Sequence, residues 1–218
     1  MFVKVCGTTN EEDALLAVAV GADAVGFVFA PSPRQIAPTL ASDIAKRLPR
    51  EVLTVGVFRD QTPKQVVAIV NGAGLRGAQL HGHESPEEVR YVASRVPFTI
   101  KAFAAGDLAI KQASDYGADA VLLDAPSPGS GRVFDWRLAE GVRDGSRLVL
   151  AGGLDPDNVA LAITRVRPWG VDVASGVELR PGHKDPVRLQ AFVEAAKAAE
   201  PPAYVGEREA PYDWQDEP

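Results

Sequence analysis

Cysteine is nearly absent from this 218-residue chain, in which Cys6 is the only one. A single cysteine excludes any disulfide within the chain and most metal sites built on cysteine ligands. The three histidines form no helical i,i+4 pair, and the short segment His81-Gly82-His83 has no third ligand nearby. We therefore predict that the protein binds no metal.

Long apolar runs and basic clusters are also lacking. No run approaches the length that crosses a membrane, and no signal-like apolar segment stands at the N-terminus. We therefore expect a cytoplasmic protein without membrane contact. The net charge of −6 without a basic cluster argues against nucleic acid as a partner. A phosphorylated small molecule stays compatible with this charge, because local backbone amides can bind phosphate on an acidic protein.

A short apolar run, a loop with glycine or proline and a capped amphipathic stretch recur eight times along the chain. With 46% hydrophobic residues the chain can bury one sizeable core, and we predict a single domain over 1–200. The pattern predicts strands over 2–6, 24–29, 52–58, 76–80, 98–103, 119–124, 147–151 and 170–174, and helices over 10–20, 39–48, 63–72, 86–95, 107–116, 135–143, 156–166 and 186–198.

Four of the helix starts carry the same signal, a capping residue followed by proline at the first helical position. They are Thr62-Pro63, Ser85-Pro86, Asp155-Pro156 and Asp185-Pro186. Ser85 with Glu88 three residues later also fits a capping box.

Eight strand–helix units indicate parallel strands joined by helical crossovers. Continuous apolar runs such as 25–29 agree, because parallel strands are buried on both faces. We predict an α/β fold, a single-domain (β/α)8 TIM barrel. An open doubly wound sheet is the alternative, but it more often has fewer units and a G-x-G-x-x-G after its first strand, which is absent here. The segment GADAV at 21–25 recurs at 117–121, half a barrel away, which also favours the barrel.

Residues 201–218 differ from the rest of the chain in composition. They contain four prolines and five acidic residues. We predict an extended, acidic, proline-rich C-terminal tail outside the catalytic domain.

Active sites of such barrels lie at the C-terminal ends of the strands, so the residues that end each strand are candidate site residues. Cys6 ends the first strand, and its side chain is either a small buried hydrophobe or a thiolate acting as base or nucleophile. Asp124 follows an apolar run and would face a cavity. It could cap the loop behind it, but Asp135 is the better cap for the next helix, which leaves Asp124 free for chemistry.

Glycine loops follow the seventh and eighth predicted strands, where a barrel usually binds phosphate. Gly152 and Gly153 form one loop, and Ser175 and Gly176 form the other. Glycine lets backbone N–H groups approach an anion. Ordinary turn glycines are the alternative, but two such loops on neighbouring strands favour a phosphate site.

Further polar side chains are candidates near the same end of the barrel. Arg34, in a proline-bounded loop, is either a solvated surface charge or a clamp for a substrate carboxylate. His81 lines the mouth or is only a loop residue. Lys4 and Lys101 lie inside strands at positions that could point into the barrel, as a Schiff-base lysine would.

Taken together, these motifs closely resemble the phosphoribosylanthranilate isomerase family of tryptophan biosynthesis. They follow the family order from residue 4 to 185 and cover nearly the whole barrel. The matching stretches are Lys4–Gly7, Gly21–Phe29 with Ser32–Arg34, Val55–Phe58, Gln79–Gly82, Leu122–Asp124, Gly129–Gly131 with Phe134–Trp136, Gly152–Leu154 with Pro156, Asn158 and Val159, and Val171–Val173 with Ser175–Glu178, Pro181, Gly182, Lys184 and Asp185.

The resemblance implies an Amadori rearrangement of N-(5-phosphoribosyl)anthranilate, a phosphorylated small molecule, without a cofactor. Carried over by motif, Cys6 is the general base and Asp124 the general acid. Arg34 meets the anthranilate carboxylate, and the substrate's own nitrogen forms the imine, so no enzyme lysine is needed. The remaining correspondences are His81 and Asp172, which line the substrate site, and Gly152, Gly153, Ser175 and Gly176, which form the phosphate loops.

Three positions depart from the family pattern. Ala151 and Ala174 stand where many members have a small hydroxyl residue, which bears on phosphate affinity more than on identity. Pro128 stands where glycine is common. The tail 201–218 has no counterpart in the family, and the assembly is expected to be a monomer or a homodimer.

Two other functions stay open. The related histidine-pathway sugar isomerase uses two carboxylates, with an aspartate where Cys6 stands, so Cys6 counts against it. A catalytically silent phosphate-binding barrel would not need both Cys6 and Asp124. For the isomerase we expect Cys6 ionisation to give the rising limb of the pH–rate profile and Asp124 the falling limb. The two assignments are reversed if Asp124 titrates below Cys6.

Overall fold

Eight parallel strands form a closed barrel in the computed structural model, which describes residues 1–125, 135–139 and 147–199. The strands are β1 (Phe2–Val5), β2 (Ala24–Val28), β3 (Leu53–Phe58), β4 (Gly77–Leu80), β5 (Thr99–Ala104), β6 (Ala120–Asp124), β7 (Leu148–Leu150) and β8 (Gly170–Val173). They pair in chain order, and β1 pairs with β8 from Phe2 opposite Gly170 to Val5 opposite Val173. This closure confirms the predicted (β/α)8 barrel and excludes the open sheet.

Helical segments connect the strands and cover the outside of the barrel. The α-helices are α1 (Glu11–Ala19), α2 (Pro38–Ala45), α3 (Pro63–Gly72), α4 (Pro86–Ala93), α5 (Val159–Val166) and α6 (Pro186–Ala198). The 3₁₀ helices are Leu108–Tyr116, Trp136–Ala139 and Ser175–Val177. The segment predicted over 107–116 is thus 3₁₀ rather than α, with a kink at Gln112. The part of the predicted helix 135–143 beyond residue 139, the loop 126–131 and the tail 201–218 lie outside the described residues.

The capping signals explain where the helices begin. Thr62 and Ser85 form capping boxes, and the Asp185 carboxylate accepts from two N–H groups of the first turn, as predicted. The start predicted at Asp155-Pro156 is wrong by three residues, because α5 begins at Val159. The Asp155 carboxylate first closes a turn by accepting from the N–H groups of residues 157 and 158.

Side chains alternate between the inside and the outside of the barrel along each strand. The interior is filled by a cluster that includes Val55, Ile100, Leu122 and Val149. A larger apolar cluster lies between the strands and the helices. The polar interior side chains that remain lie at the carboxyl ends of the strands, which is where the site forms.

A small antiparallel pair of strands lies between β8 and α6. It consists of β9 (Glu178–Arg180) and β10 (His183–Lys184) and was not predicted from the sequence. It carries Glu178 and Lys184 back to the end of β1. Among the described residues no helix is long and apolar enough to cross a membrane.

Candidate active site

A cavity of about 370 Å³ opens at the carboxyl end of the barrel. It collects five of the predicted site residues, contributed by strands or loops from distant parts of the chain. They are Cys6, Arg34, His81, Asp124 and Asp172. Residues separated by up to 166 positions thus face one space, which is what an active site at this end of a barrel requires.

Cys6 is held at the end of β1 by its own backbone. Its N–H donates to the Val173 carbonyl at 2.8 Å, and its carbonyl accepts from Lys184 Nζ at 2.6 Å. Burial raises the pKa of the Cys6 thiol above its ordinary value. Asp172 acts in the same direction, whereas Lys4 and Lys184 oppose the increase. Cys6 is therefore a thiol at neutral pH.

Asp172 lies opposite Lys4 in the pairing of β8 with β1. Its Oδ1 accepts from Lys4 Nζ at 2.8 Å, and the Lys4 side chain is fully buried. Lys4 thus points into the barrel, as its position in the predicted strand allowed. Lys101 does not share that interior: its ammonium bonds to Glu84 at 2.7 Å and to the Gly82 carbonyl.

Asp124 ends β6 and is 7% exposed. Asp124 was expected not to cap the loop behind it, but one of its oxygens does bond there. Its Oδ1 accepts from the Ala125 N–H at 2.7 Å. Its Oδ2 lies 3.4 Å from His81 Nε2. Burial raises the pKa of Asp124 to about 6, and the neighbouring Asp172 charge adds to this increase. A carboxyl that is partly protonated near neutral pH suits a general acid.

His81 extends from the end of β4 toward Asp124. Burial lowers its pKa to about 4, so the ring is neutral at pH 7. The Gln79 amide nitrogen lies 3.3 Å from Nδ1, and with the amide in this orientation it donates to Nδ1 and the single ring proton is on Nε2. His81 therefore presents a neutral N–H to Asp124, and the Gln79 partner was not anticipated from the sequence.

Arg34 forms a bidentate ion pair with Glu178. Its Nε lies 2.9 Å from Oε1, and its second terminal nitrogen lies 2.7 Å from Oε2. The side chain is 13% exposed and lines the cavity, which excludes the solvated surface charge. Glu178 also accepts from Lys184 at 3.0 Å. Burial works to raise the pKa of Glu178, but hydrogen bonds from Arg34 and Lys184 hold it below its ordinary value.

Sequence reasoning missed the roles of Glu178 and Lys184. Both residues lie in stretches that match the family, and this match could have marked them as site residues. The pairing of Glu178 with Arg34 spans 144 positions and forms only when the barrel closes. Lys184 Nζ reaches the carbonyl oxygens of Cys6 and Ala174 as well as Glu178. This ion network therefore joins the ends of β1 and β8 to the loop that carries Arg34.

The predicted phosphate residues gather around a second, smaller cavity beside the first. Gly152, Gly153 and Ser175 line it, together with Asp124 and Asp172. Gly152 has φ +80°, and a side chain there would collide with the backbone of Ala125. Gly176 lies behind this lining, where a side chain would collide with the carbonyl oxygen of residue 154.

The thiol, the protonatable carboxyl and the arginine share one cavity at the carboxyl end of a closed (β/α)8 barrel, which is where barrel enzymes have their active sites. The described residues contain no group of three side chains that could hold a metal ion.

Comparison with known proteins identifies the family. A family model described as N-(5'-phosphoribosyl)anthranilate (PRA) isomerase matches residues 3–195. The N-(5'-phosphoribosyl)anthranilate isomerase of Desulforudis audaxviator is 48% identical over 204 residues, covering 90% of this chain and 98% of the relative. The chain therefore belongs to the N-(5'-phosphoribosyl)anthranilate isomerase family.

Solved structures agree with this assignment. The crystal structure of phosphoribosyl anthranilate isomerase from Thermus thermophilus has a TM-score of 0.86 at 44% identity, covering 91% of this chain and 99% of that one. A phosphoribosyl anthranilate isomerase in complex with reduced 1-(o-carboxyphenylamino)-1-deoxyribulose 5-phosphate has a TM-score of 0.82 at 44% identity, with the same coverage.

Proposed function

We propose that this chain converts N-(5'-phosphoribosyl)anthranilate to 1-(2-carboxyphenylamino)-1-deoxyribulose 5-phosphate in tryptophan biosynthesis, with Asp124 as general acid and Cys6 as general base. The observation that carries this proposal is the presence of both groups on one cavity, in environments that give them different proton affinities. No step of the rearrangement transfers electrons to an outside acceptor, so the chain needs no redox cofactor.

The reaction needs one proton delivered and one removed. Asp124 protonates the ribose ring oxygen, the C1–O bond breaks, and the electron pair of the substrate nitrogen forms a protonated imine. The Cys6 thiolate then removes the C2 proton, and the C–H electrons form the enolamine double bond while the imine nitrogen becomes neutral. The enolamine tautomerises to the ketone. Each proton transfer of this kind typically contributes 10²–10⁴-fold.

The remaining site residues bind and orient the substrate in this proposal. Arg34 binds the anthranilate carboxylate through the side of its guanidinium that the bonds to Glu178 from Nε and one terminal nitrogen leave available. His81 and Asp172 line the sugar site. The phosphate binds at the smaller cavity, formed by the loops of Gly152, Gly153, Ser175 and Gly176. A dianion there would raise the pKa of the adjacent Asp124 further.

A turnover assay on the purified chain tests the function. We expect the anthranilate substrate to be isomerised, whereas the substrate of the related histidine-pathway isomerase should not be turned over at a comparable rate. Turnover of the histidine-pathway substrate alone would favour that alternative, and no turnover of either would favour a silent barrel.

The pH dependence of kcat/KM follows from the order of the two pKa values. Asp124 titrates near 6, below Cys6, so the initially expected assignment of the two limbs is reversed. The rate should rise as pH passes the pKa of Asp124 and fall as it passes that of Cys6. Between the two pKa values, only a small fraction of the molecules holds a thiolate and a protonated Asp124 at once.

The measurement is kcat/KM against pH beside the pH dependence of alkylation of Cys6. Because Cys6 is the only cysteine in the chain, alkylation reports its ionisation without interference. An alkylation midpoint at or below the rising limb of kcat/KM would contradict the reversed order.

Arg34→Ala is expected to raise KM on the order of 10- to 100-fold while changing kcat much less, because the carboxylate it binds is remote from the bonds that change. Steady-state kinetics measure both constants. Arg47→Ala is the matched control, since Arg47 forms an exposed ion pair with Glu11 away from the cavity. Equal losses in kcat and kcat/KM would instead mean that Arg34 acts mainly in the transition state.

The wider setting of the enzyme follows the same proposal. We propose a cytoplasmic enzyme that works as a monomer or a homodimer, with its chemistry confined to residues 1–200 and the tail 201–218 dispensable for it.

A further inference from the structure

Lys4 is a charged side chain in the barrel interior with 0% exposure. An ammonium in such a place is costly unless it is paired and hydrogen-bonded. Its Nζ donates to Asp172 Oδ1 at 2.8 Å. The reaction forms its imine on the substrate nitrogen, so the mechanism leaves this lysine without a covalent role.

The pleat of β1 places Lys4 and Cys6 on the same side of the strand, two residues apart. Gly26 of β2 faces both of them. A Cβ atom on Gly26 would lie 2.9 Å from Cys6 Sγ and 3.2 Å from Lys4 Nζ. The sulfur and the ammonium therefore share the space that the missing side chain of Gly26 leaves, and the positive charge of Lys4 favours ionisation of the thiol.

We propose that Lys4 acts through Cys6, as the cation that stabilises the thiolate during proton abstraction, and that Asp172 holds the Lys4 ammonium in place. The inference rests on the proposed base role of Cys6. In the step itself, the C2 proton moves to sulfur and the negative charge of the thiolate is neutralised, while Lys4 keeps its proton throughout. Lys4 can do so because Asp172 and Cys6 raise its pKa above the ordinary value despite its burial.

The other cations near Cys6 differ from Lys4 in what they bind, because their partners are Glu178 and a backbone carbonyl. Lys184 and Arg34 both bind Glu178, and Lys184 also binds the Cys6 carbonyl rather than the sulfur. The carboxylate of Asp172 opposes ionisation of the thiol. Among the described residues, Lys4 is therefore the cation whose ammonium faces Gly26 together with the sulfur. The other charged or titratable side chains that line the same cavity are Arg59, His81 and Asp124.

Lys4→Gln tests the inference, because glutamine can still bond to Asp172 but carries no charge. We expect the pH midpoint of Cys6 alkylation to rise by about one unit. The maximum of kcat/KM should fall about tenfold, because molecules with a thiolate and a protonated Asp124 become rarer. The falling limb of the profile should move to higher pH by about one unit, as the alkylation midpoint does. Lys101→Gln is the matched control: it removes another buried lysine, paired with Glu84, and should leave the alkylation midpoint unchanged.

An unchanged alkylation midpoint in folded Lys4→Gln would show that Lys4 does not stabilise the thiolate. This result would leave the proposed base role of Cys6 intact. A raised midpoint with an unchanged kcat/KM profile overturns the base role of Cys6, and the inference with it. If Lys4→Gln does not fold, Gly26→Ala serves instead, since its methyl group would separate the sulfur from the ammonium. It should then raise the alkylation midpoint in the same direction, and an unchanged midpoint in that variant again overturns the role of Lys4.

Discussion

Cys6→Ser is expected to fold normally and to lose on the order of 10²-fold or more in kcat, because a hydroxyl is a far poorer base than a thiolate at neutral pH. The structure supports an undisturbed fold in this variant. The position of residue 6 is fixed by backbone bonds to Val173 and Lys184, and these do not depend on its side chain.

The measurement is steady-state turnover beside a thermal melt, with Cys6→Ala as the control for any residual action of the serine hydroxyl. Near-normal turnover by Cys6→Ser would mean that Cys6 is a packed core thiol. The base role would then pass to another group on the cavity, and His81 would be the first to test.

Asp124→Asn should abolish ring opening while leaving the affinity for a product analogue within about tenfold, because an amide has no acidic proton but keeps the size of the carboxyl. The asparagine oxygen can still accept from the Ala125 N–H, so the loop after β6 should hold its place. The amide would then face the Nε2–H of His81, where both groups are donors.

Single-turnover kinetics and equilibrium binding separate the two effects in Asp124→Asn. A large loss of analogue binding together with the loss of turnover would assign Asp124 to substrate binding instead. Asp119→Asn is a suitable comparison, since Asp119 bonds to the Thr99 backbone at the opposite, amino-terminal end of the barrel strands.

The fold was readable from the sequence because its signals are local. Each strand is a short apolar run, and several helices begin at a capping residue followed by proline, so element types follow from neighbouring residues. The deviations are local too. Asp155 stabilises a turn before α5. The segment Leu108–Tyr116 is a 3₁₀ helix with a kink, and its composition does not distinguish a 3₁₀ helix from an α-helix.

The candidate site was readable only in part. The residues that end the strands were predicted, because a parallel barrel brings those ends together whatever its details. The pairing of Arg34 with Glu178 and of Lys4 with Asp172 depends on which strands become neighbours at closure. The order of the Asp124 and Cys6 pKa values depends on burial and on charges from other strands, which no local stretch of sequence contains.

The closing contact between β1 and β8 also sets when the site can form during synthesis. The partner of Lys4 is made 168 residues later, and the partner of the Cys6 carbonyl 178 residues later. At ribosomal rates this delay is on the order of 10 s or more. Until then the nascent chain carries a lysine destined for the barrel interior without its counter-charge. Chains released before residue 170 lack β8, so they cannot close the barrel and they leave Lys4 without Asp172.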